Sequence, residues 1–158
     1  MSEILSLSYQ NTDSSSFSSR SIGEIGEALA ARFLFKNGYR LILSNFKVPI
    51  GRNRRDALVS GEIDLIAFDD DVLCFIEVKT RSSDEFASPL SAVDLRKQRQ
   101  IIRTAKVYRK IFHLAGINFR YDVVSVILPE TSRPQIELFK NFWTESKFSK
   151  KTWGNEFR

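Results

Sequence analysis

The segment from Gly61 to Arg81 reads as two strands joined by a tight turn, and the rest of the chain has to be arranged around it. Glu62 to Phe68 and Val72 to Lys79 are rich in β-branched and aromatic residues, and Asp69-Asp70-Asp71 supplies the turn. Side chains alternate along a strand, so Glu77 and Lys79 share one face while Val78 points the other way. A two-residue turn at Asp70-Asp71 pairs Asp69 with Val72 and sets Asp64 directly opposite Glu77. Opposed residues have Cβ atoms roughly 4.5–5.5 Å apart. Two carboxylates at that spacing repel, and one keeps its proton unless a cation lies between them. A hard divalent ion such as Mg²⁺ (or Mn²⁺) suits such oxygen ligands. An ammonium two residues further on would stabilise developing negative charge or orient a water.

Charges at strand ends are commonly solvent-facing pairs, but the patterning of these strands argues otherwise. One face carries Asp64, Ile66, Phe68, Leu73, Phe75, Glu77 and Lys79; the other carries Ile63, Leu65, Ala67, Cys74, Ile76 and Val78. Both are apolar, so both sides of the sheet are expected to be covered. Glu77 and Lys79 then stand among side chains being buried, where charges need a partner or a metal.

Asp64, a gap of twelve residues, and Glu77-Val78-Lys79 resemble the Asp…Glu-x-Lys signature of the PD-(D/E)XK nuclease superfamily. That signature alone is weak. The longer string Gly-Glu-Ile-Asp-Leu-Ile-Ala … Ile-Glu-Val-Lys-Thr-Arg is far more specific, and it is similar to the YraN-like family, placed in that superfamily and likened to Holliday-junction resolvases. The resemblance runs from about Ile22 to Phe139. It implies an α/β, restriction-endonuclease-like αβββαβ core, a central mixed sheet flanked by helices. It implies a Mg²⁺- or Mn²⁺-dependent endonuclease acting on DNA, including branched or damaged DNA, with Asp64, Glu77 and Lys79 catalytic. The metal would be held by Asp64, Glu77 and the backbone carbonyl of Val78. Glu27, in the first helix, matches a glutamate that contributes to the metal site in related nucleases; its own sequence context fits an ordinary surface acid equally well. Junction-cutting nucleases of this fold pair up, so a homodimer is implied as well. A non-catalytic nucleic-acid-binding module on the same fold is the alternative, and a protein-interaction scaffold a third.

A chain of 158 residues is one domain's worth. Its net charge of +5 and pI near 9.5 fit a polyanionic partner without demonstrating one. Cys74 is the only cysteine and His113 the only histidine, which excludes a disulfide framework and argues against zinc or histidine-based chemistry. No apolar run approaches the ~18–20 residues that cross a membrane. The first twenty residues lack a basic start and an apolar stretch, so the expected location is the cytoplasm.

Residues 1–20 are serine-rich and read as a mobile arm ahead of a nuclease-like domain at 21–142, with a basic and aromatic tail at 143–158. Ser21 and Glu24 form a capping box for a first helix with Ile22, Ile25, Leu29 and Phe33 on its buried face and Gly38 at its end. Glu27 lies on the flank of that face, in line with Ala31 and Leu34. A strand from Tyr39 to Val48 follows. Residues 49–60 look inserted relative to the family and carry Arg52, Arg54 and Arg55; they suit a phosphate-holding loop or a solvated hairpin extension equally. Past Arg81 comes a polar loop, Ser82 to Pro89, then a second helix starting at Ser91 to Asp94 and reaching about Ala115. Its expected buried stripe is Ile101, Ala105, Tyr108 and Phe112, leaving Arg96, Arg99, Arg103, Lys106 and Lys110 on a basic face with Asp94 the only nearby acid. Lys97 and Gln98 point towards the site, where the resemblance makes them substrate-orienting. Candidate nucleic-acid contacts are therefore Arg81, Lys97, Gln98, Arg96, Arg99, Arg103, Arg52, Arg54 and Arg55. Phe119 to Leu128 and Ile136 to Phe142 are the last strands, with Asp122 a structural acid paired to Arg120 or Arg81.

Overall fold

The computed structural model describes residues 19–82 and 93–149. The expected turn sets the register of the whole sheet. Asp69 pairs with Val72, Phe68 with Leu73 and Leu65 with Ile76, between β2 (Leu58–Asp69) and β3 (Val72–Arg81). Asp70 takes the turn with φ of 51°. β1 (Arg40–Arg52) pairs antiparallel with β2, and β4 (Phe119–Ile127) lies parallel to β3. β5 (Gln135–Trp143) closes the far edge against β4, giving a five-stranded mixed sheet in the order β1-β2-β3-β4-β5.

The parallel β3–β4 pair needs a crossover, and α2 (Leu95–Ile111) provides it on one face. α1 (Ser19–Lys36) covers the other face. Two separate apolar cores result. Ile66, Phe75, Tyr121 and Val123 pack beneath Ile101, Ala105 and Tyr108 of α2, and Leu65, Ile76, Val78, Val124 and Val126 beneath Ala30 and Leu34 of α1. The α/β architecture with a mixed central sheet between helices is thus as the sequence predicts, helix, three strands, helix, two strands. No described helix is long and apolar enough to cross a membrane.

Several expectations are corrected. Ile63 packs with Ile66 and Phe75 on the α2 side, not with Leu65. Alternation breaks at Asp64, where Asn45, lying between the Ser44–Leu65 and Phe46–Ile63 pairs, takes φ of 52°. α1 begins at Ser19, so Ser21 lies inside the helix, and Glu24 pairs with Arg20 at 3.6 Å. Gly26, Ala30 and Leu34 form the buried line of α1, and Ile25 faces outward. Gly38 ends the helix as expected, with φ of 86° and Tyr39 N–H donating to Leu34 O at 3.0 Å.

Residues 49–60 are no loose loop. β1 and β2 run on through them as a hairpin whose turn is held by Asn53 Oδ1, which accepts from Arg55 and Ala57 N–H at 2.9 and 3.0 Å. α2 starts at Leu95, capped by Asp94 accepting from Lys97 N–H at 2.7 Å, and stops at Ile111, short of Ala115. Phe112 is half-exposed, and His113 turns away with φ of 53°. The tail does not begin at 143 either. Trp143 ends β5 buried against Tyr121, and a 3-10 turn (Glu145–Phe148) follows. Glu145 accepts from Arg109 at 2.6 Å and from Tyr121 Oη at 2.8 Å, and lies 3.7 Å from Lys106, so the basic face of α2 has an acid the sequence reading had not assigned to it. The Ser-rich arm up to residue 18, the loop and helix start within 83–92, and the tail from Lys150 lie outside the described residues.

Candidate active site

β3 emerges at its carboxyl end between α1 and α2, and this is where the charged side chains of the hairpin gather. Close helix approach is a matter of glycine. Gly26 of α1 faces Thr80 of β3, and a Cβ there would overlap the threonine side chain. Gly61 of β2 lies against Thr104 of α2 in the same way. Both helices therefore seat within reach of the strand ends.

Glu77 is the centre of the group and is only 2% exposed. Lys79 Nζ, two residues along the same face, lies 2.8 Å from Glu77 Oε1. Lys97 Nζ reaches down from the first turn of α2 to 3.4 Å from Oε2. That oxygen accepts no hydrogen bond among the described residues. Asp64 is 8% exposed and its Oδ2 accepts the Val78 N–H at 2.7 Å. The β2–β3 ladder ends at Leu65–Ile76, so Asp64 meets β3 through this side-chain bond, one position past Glu77.

Burial raises the Asp64 carboxyl to about 7, reinforced by the neighbouring Glu77 carboxylate and, less, by Glu27. The Val78 N–H and the Lys97 ammonium work in the opposite direction and do not cancel it. The two acids are thus both buried and close enough for their charges to act on each other, although the ladder stops one pair short of setting them directly opposite.

Glu27 is half-buried on α1, near enough for its charge to act on Asp64. Among the described residues no three acid, histidine or cysteine side chains converge as a ready-made metal cage. The donor set nevertheless fits a hard divalent cation: two buried carboxylates, one of them with an oxygen that accepts no hydrogen bond among the described residues. Lys97 lies in this group as expected. Gln98 is buried beside it, donating Nε2–H to Val93 O at 2.8 Å, and its Oε1 has no partner among the described residues.

Other sequence-predicted residues fall elsewhere. Arg96, Arg99 and Arg103 are exposed on α2. Arg99 stacks over Phe148 with its guanidinium 5.2 Å from the ring centre, and Arg103 donates to the backbone carbonyl of Ile50 in the hairpin. Arg52, Arg54 and Arg55 stand at and beside the turn of the β1–β2 hairpin, where Arg52 pairs with Asp56. Arg81 ends β3, its carbonyl accepting from Leu128 N–H at 2.7 Å. Asp122 is fully buried and bound by Arg120 Nε at 2.9 Å, the structural role expected of it. Arg120 also holds Asp69 and Tyr39, closing the opposite end of the sheet. The second ammonium on Glu77 was not foreseen; its signal was Asp94, whose cap fixes Lys97 in the first turn of α2.

The profile of the uncharacterised protein family UPF0102 matches residues 26–126, a span that contains Glu27, Asp64, Glu77, Lys79, Lys97 and Gln98. A UPF0102 protein of Chlorobium phaeobacteroides (strain BS1) is 40% identical over 125 residues, covering 79% of this chain and 91% of its own. One from Alkaliphilus metalliredigens (strain QYMF) is 38% identical over 110 residues, 70% of this chain and 88% of that protein. One from Clostridium perfringens (strain SM101 / Type A) is 42% identical over 107 residues, 68% and 80% respectively. Among solved structures, the crystal structure of SSO0001 aligns with 82% of this chain and 55% of its own at 16% identity and a TM-score of 0.37, a likeness too slight to argue from. The string from Gly61 to Arg81, the helices that close on it and the relatives that share most of their length with it lead to one conclusion: the chain belongs to the uncharacterised protein family UPF0102, the YraN-like family.

Proposed function

We propose that this protein is a Mg²⁺- or Mn²⁺-dependent endonuclease that hydrolyses phosphodiester bonds in DNA, with branched or damaged DNA among its substrates. The observation that carries the reading is the pair of buried carboxylates, Asp64 and Glu77, next to the Lys79 ammonium at the open end of β3. Asp64, Glu77 and the Val78 carbonyl would hold the metal, with Glu27 adding negative charge from α1. When bound, the metal supplies Lewis acidity to the phosphate and lowers the pKa of a water. The hydrolysis forms a P–O bond to that water and breaks the P–O bond to the leaving sugar oxygen, which takes up a proton.

This chain's residues do the rest. Lys79 is one-third exposed while its ammonium is fixed by Glu77, so its charge stands at the rim, facing an arriving phosphate. A fixed ammonium there stabilises charge that grows in the transition state. Lys97 and Gln98 line the α2 side and orient the substrate. The exposed arginines of α2 hold the phosphate backbone, in a sequence-independent and salt-sensitive way. A homodimer would present two such sites by symmetry, as a cut on both sides of a junction requires.

A second reading, a non-catalytic nucleic-acid-binding module, is favoured by one observation: Glu77 already has two ammonium groups within 4 Å, a self-contained charge cluster. One experiment separates the two. Mg²⁺ and Mn²⁺ are titrated calorimetrically into the wild type and Asp64→Ala, and single-stranded, duplex and four-way-junction DNA are incubated with wild type and Lys79→Ala. The nuclease reading expects metal binding that is lost in Asp64→Ala, and cleavage that Lys79→Ala abolishes while DNA affinity stays within about threefold. Comparable cleavage by Lys79→Ala would sink the mechanism; salt-sensitive DNA binding without metal binding would establish the module.

A further inference from the structure

The β1–β2 hairpin runs on past the point where β2 stops pairing with β3, while β3 itself continues to Arg81 against β4. β2 leaves β3 at Leu65 yet continues back to Leu58, paired all the way with β1. At about 3.3 Å per residue that is a reach of roughly 20 Å beyond the last β2–β3 pair. β1 and β3 both run antiparallel to β2, so the hairpin projects from the same end of the sheet as Glu77, Lys79 and Arg81.

The projection is splinted rather than loose. Arg103 of α2 donates to Ile50 O on one strand, and Gln100 Nε2 donates to Ser60 O on the other at 3.0 Å. Gly61 lets Thr104 sit directly against the base of the hairpin. At the turn, Arg52 folds back on Asp56, donating to its backbone carbonyl at 2.7 Å. That leaves Arg54 and Arg55, whose exposed side chains make no ion pair among the described residues. Arg103, itself exposed on α2, reaches the same hairpin through its bond to Ile50 O.

The geometry points to this hairpin as a rigid arm that grips the sugar-phosphate backbone of a nucleic-acid duplex outside the cleavage site, through Arg54 and Arg55. The occupant follows from what the arm carries. Single strands are held by aromatic side chains on which bases stack. From Lys47 to Glu62 there is no aromatic residue, and the hairpin's exposed side chains are cationic, polar or aliphatic apart from the acid Asp56, which lies 3.7 Å from Arg52. Splinted cations without stacking rings suit a stiff ladder of phosphates at fixed spacing. The arm rests on the nuclease reading and adds to it: the substrate must extend as duplex beyond the bond that is cut.

The test uses the full-length chain with Arg54→Gln/Arg55→Gln and with the charge-keeping pair Arg54→Lys/Arg55→Lys. Affinity for a two-turn duplex and for an oligothymidine strand is measured by fluorescence anisotropy across a salt series. The glutamine pair should bind duplex about tenfold more weakly at low salt, with the salt slope reduced by about 1.5–2, and the single strand within about twofold of wild type. The lysine pair should restore duplex binding to within about twofold, since phosphate contacts read charge rather than shape. Unchanged duplex affinity and slope in the glutamine pair, with a wild type that binds and cuts, overturns the arm and leaves the nuclease standing. Equal losses on duplex and single strand overturn the duplex assignment. A wild type that binds no nucleic acid overturns the nuclease reading itself.

Discussion

Asp64 is where burial and charge conflict most directly. Its carboxyl is raised from 3.8 to about 7, first by burial and then by Glu77. The sign for stability follows from proton linkage. The folded state binds this proton more tightly than the unfolded chain, so the unfolded state carries fewer protons between the two values. Stability therefore falls as pH rises from about 4 to about 7, and no further above that. Asp64→Asn keeps an oxygen to accept the Val78 N–H and removes the titration. Without metal, the variant should melt at or above the wild type at pH 8 and no higher at pH 4, as thermal unfolding across pH will show. A wild type whose stability rises between pH 4 and 7 relative to Asp64→Asn contradicts this account. The site's members were legible because strand alternation is local: Glu77 and Lys79 share a face whatever surrounds them. The ammonium of Lys97 was legible only as a direction, since its meeting with Glu77 depends on how α2 crosses the sheet.

At the scale of elements, local chemistry fixed what it could reach. Three aspartates give a two-residue turn, and the turn sets the β2–β3 register as far as Leu65–Ile76, from which Asp64 reaches Val78 N–H. The face of Ile63 was misread because alternation breaks at Asp64, opposite the left-handed Asn45 of a neighbouring strand, which no pattern within β2 reveals. Glu145 was missed for the same reason, its partners Tyr121 and Arg109 lying 24 and 36 residues away. The basic insertion belongs with them: a solvated hairpin was one of its two readings, but its anchorage to α2 needed the fold. Packing between elements rests on glycine where strand and helix touch. A Cβ on Gly61 would overlap Thr104 Oγ1 and lie 3.0 Å from Ile50. Gly61→Ala should cost about 1–3 kcal/mol through overpacking. Thr104→Ala removes the oxygen that clashes, so the double variant should be more stable than the sum of the two single changes by at least ~0.5 kcal/mol. Urea midpoints at constant slope measure all four corners of this cycle. Strict additivity would mean that β2 shifts away from α2 instead of pressing on it.

Across the described residues, buried charge is confined to the two ends of a sheet whose faces are both apolar. At one end the charges are balanced: Arg120 satisfies Asp122 and Asp69, and Lys140 adds a second cation on Asp69 at 2.9 Å. At the other end Asp64 is pressed towards its neutral form and Glu77 Oε2 accepts no hydrogen bond among the described residues. Natural folds tend to leave such conflicts at functional sites and compensate elsewhere. A divalent cation taken up between Asp64 and Glu77 would relieve the conflict, and the gain must appear in the stability of the entire chain, because a ligand that binds only the folded state adds RT ln(1 + [L]/Kd). At about one hundred times Kd that is about 2.7 kcal/mol. For a domain of this size it corresponds to a rise in Tm of roughly 5–10 °C. Scanning calorimetry at pH 8 with increasing Mg²⁺ or Mn²⁺ should show this rise in the wild type. In Asp64→Ala it should be absent. Lys79→Ala, which keeps both carboxylates, should still show it. An equal rise in Asp64→Ala would place the cation elsewhere on the molecule. No rise in the wild type would leave Asp64, Glu77, Lys79 and Lys97 as a closed charge cluster, and the binding-module reading would take precedence.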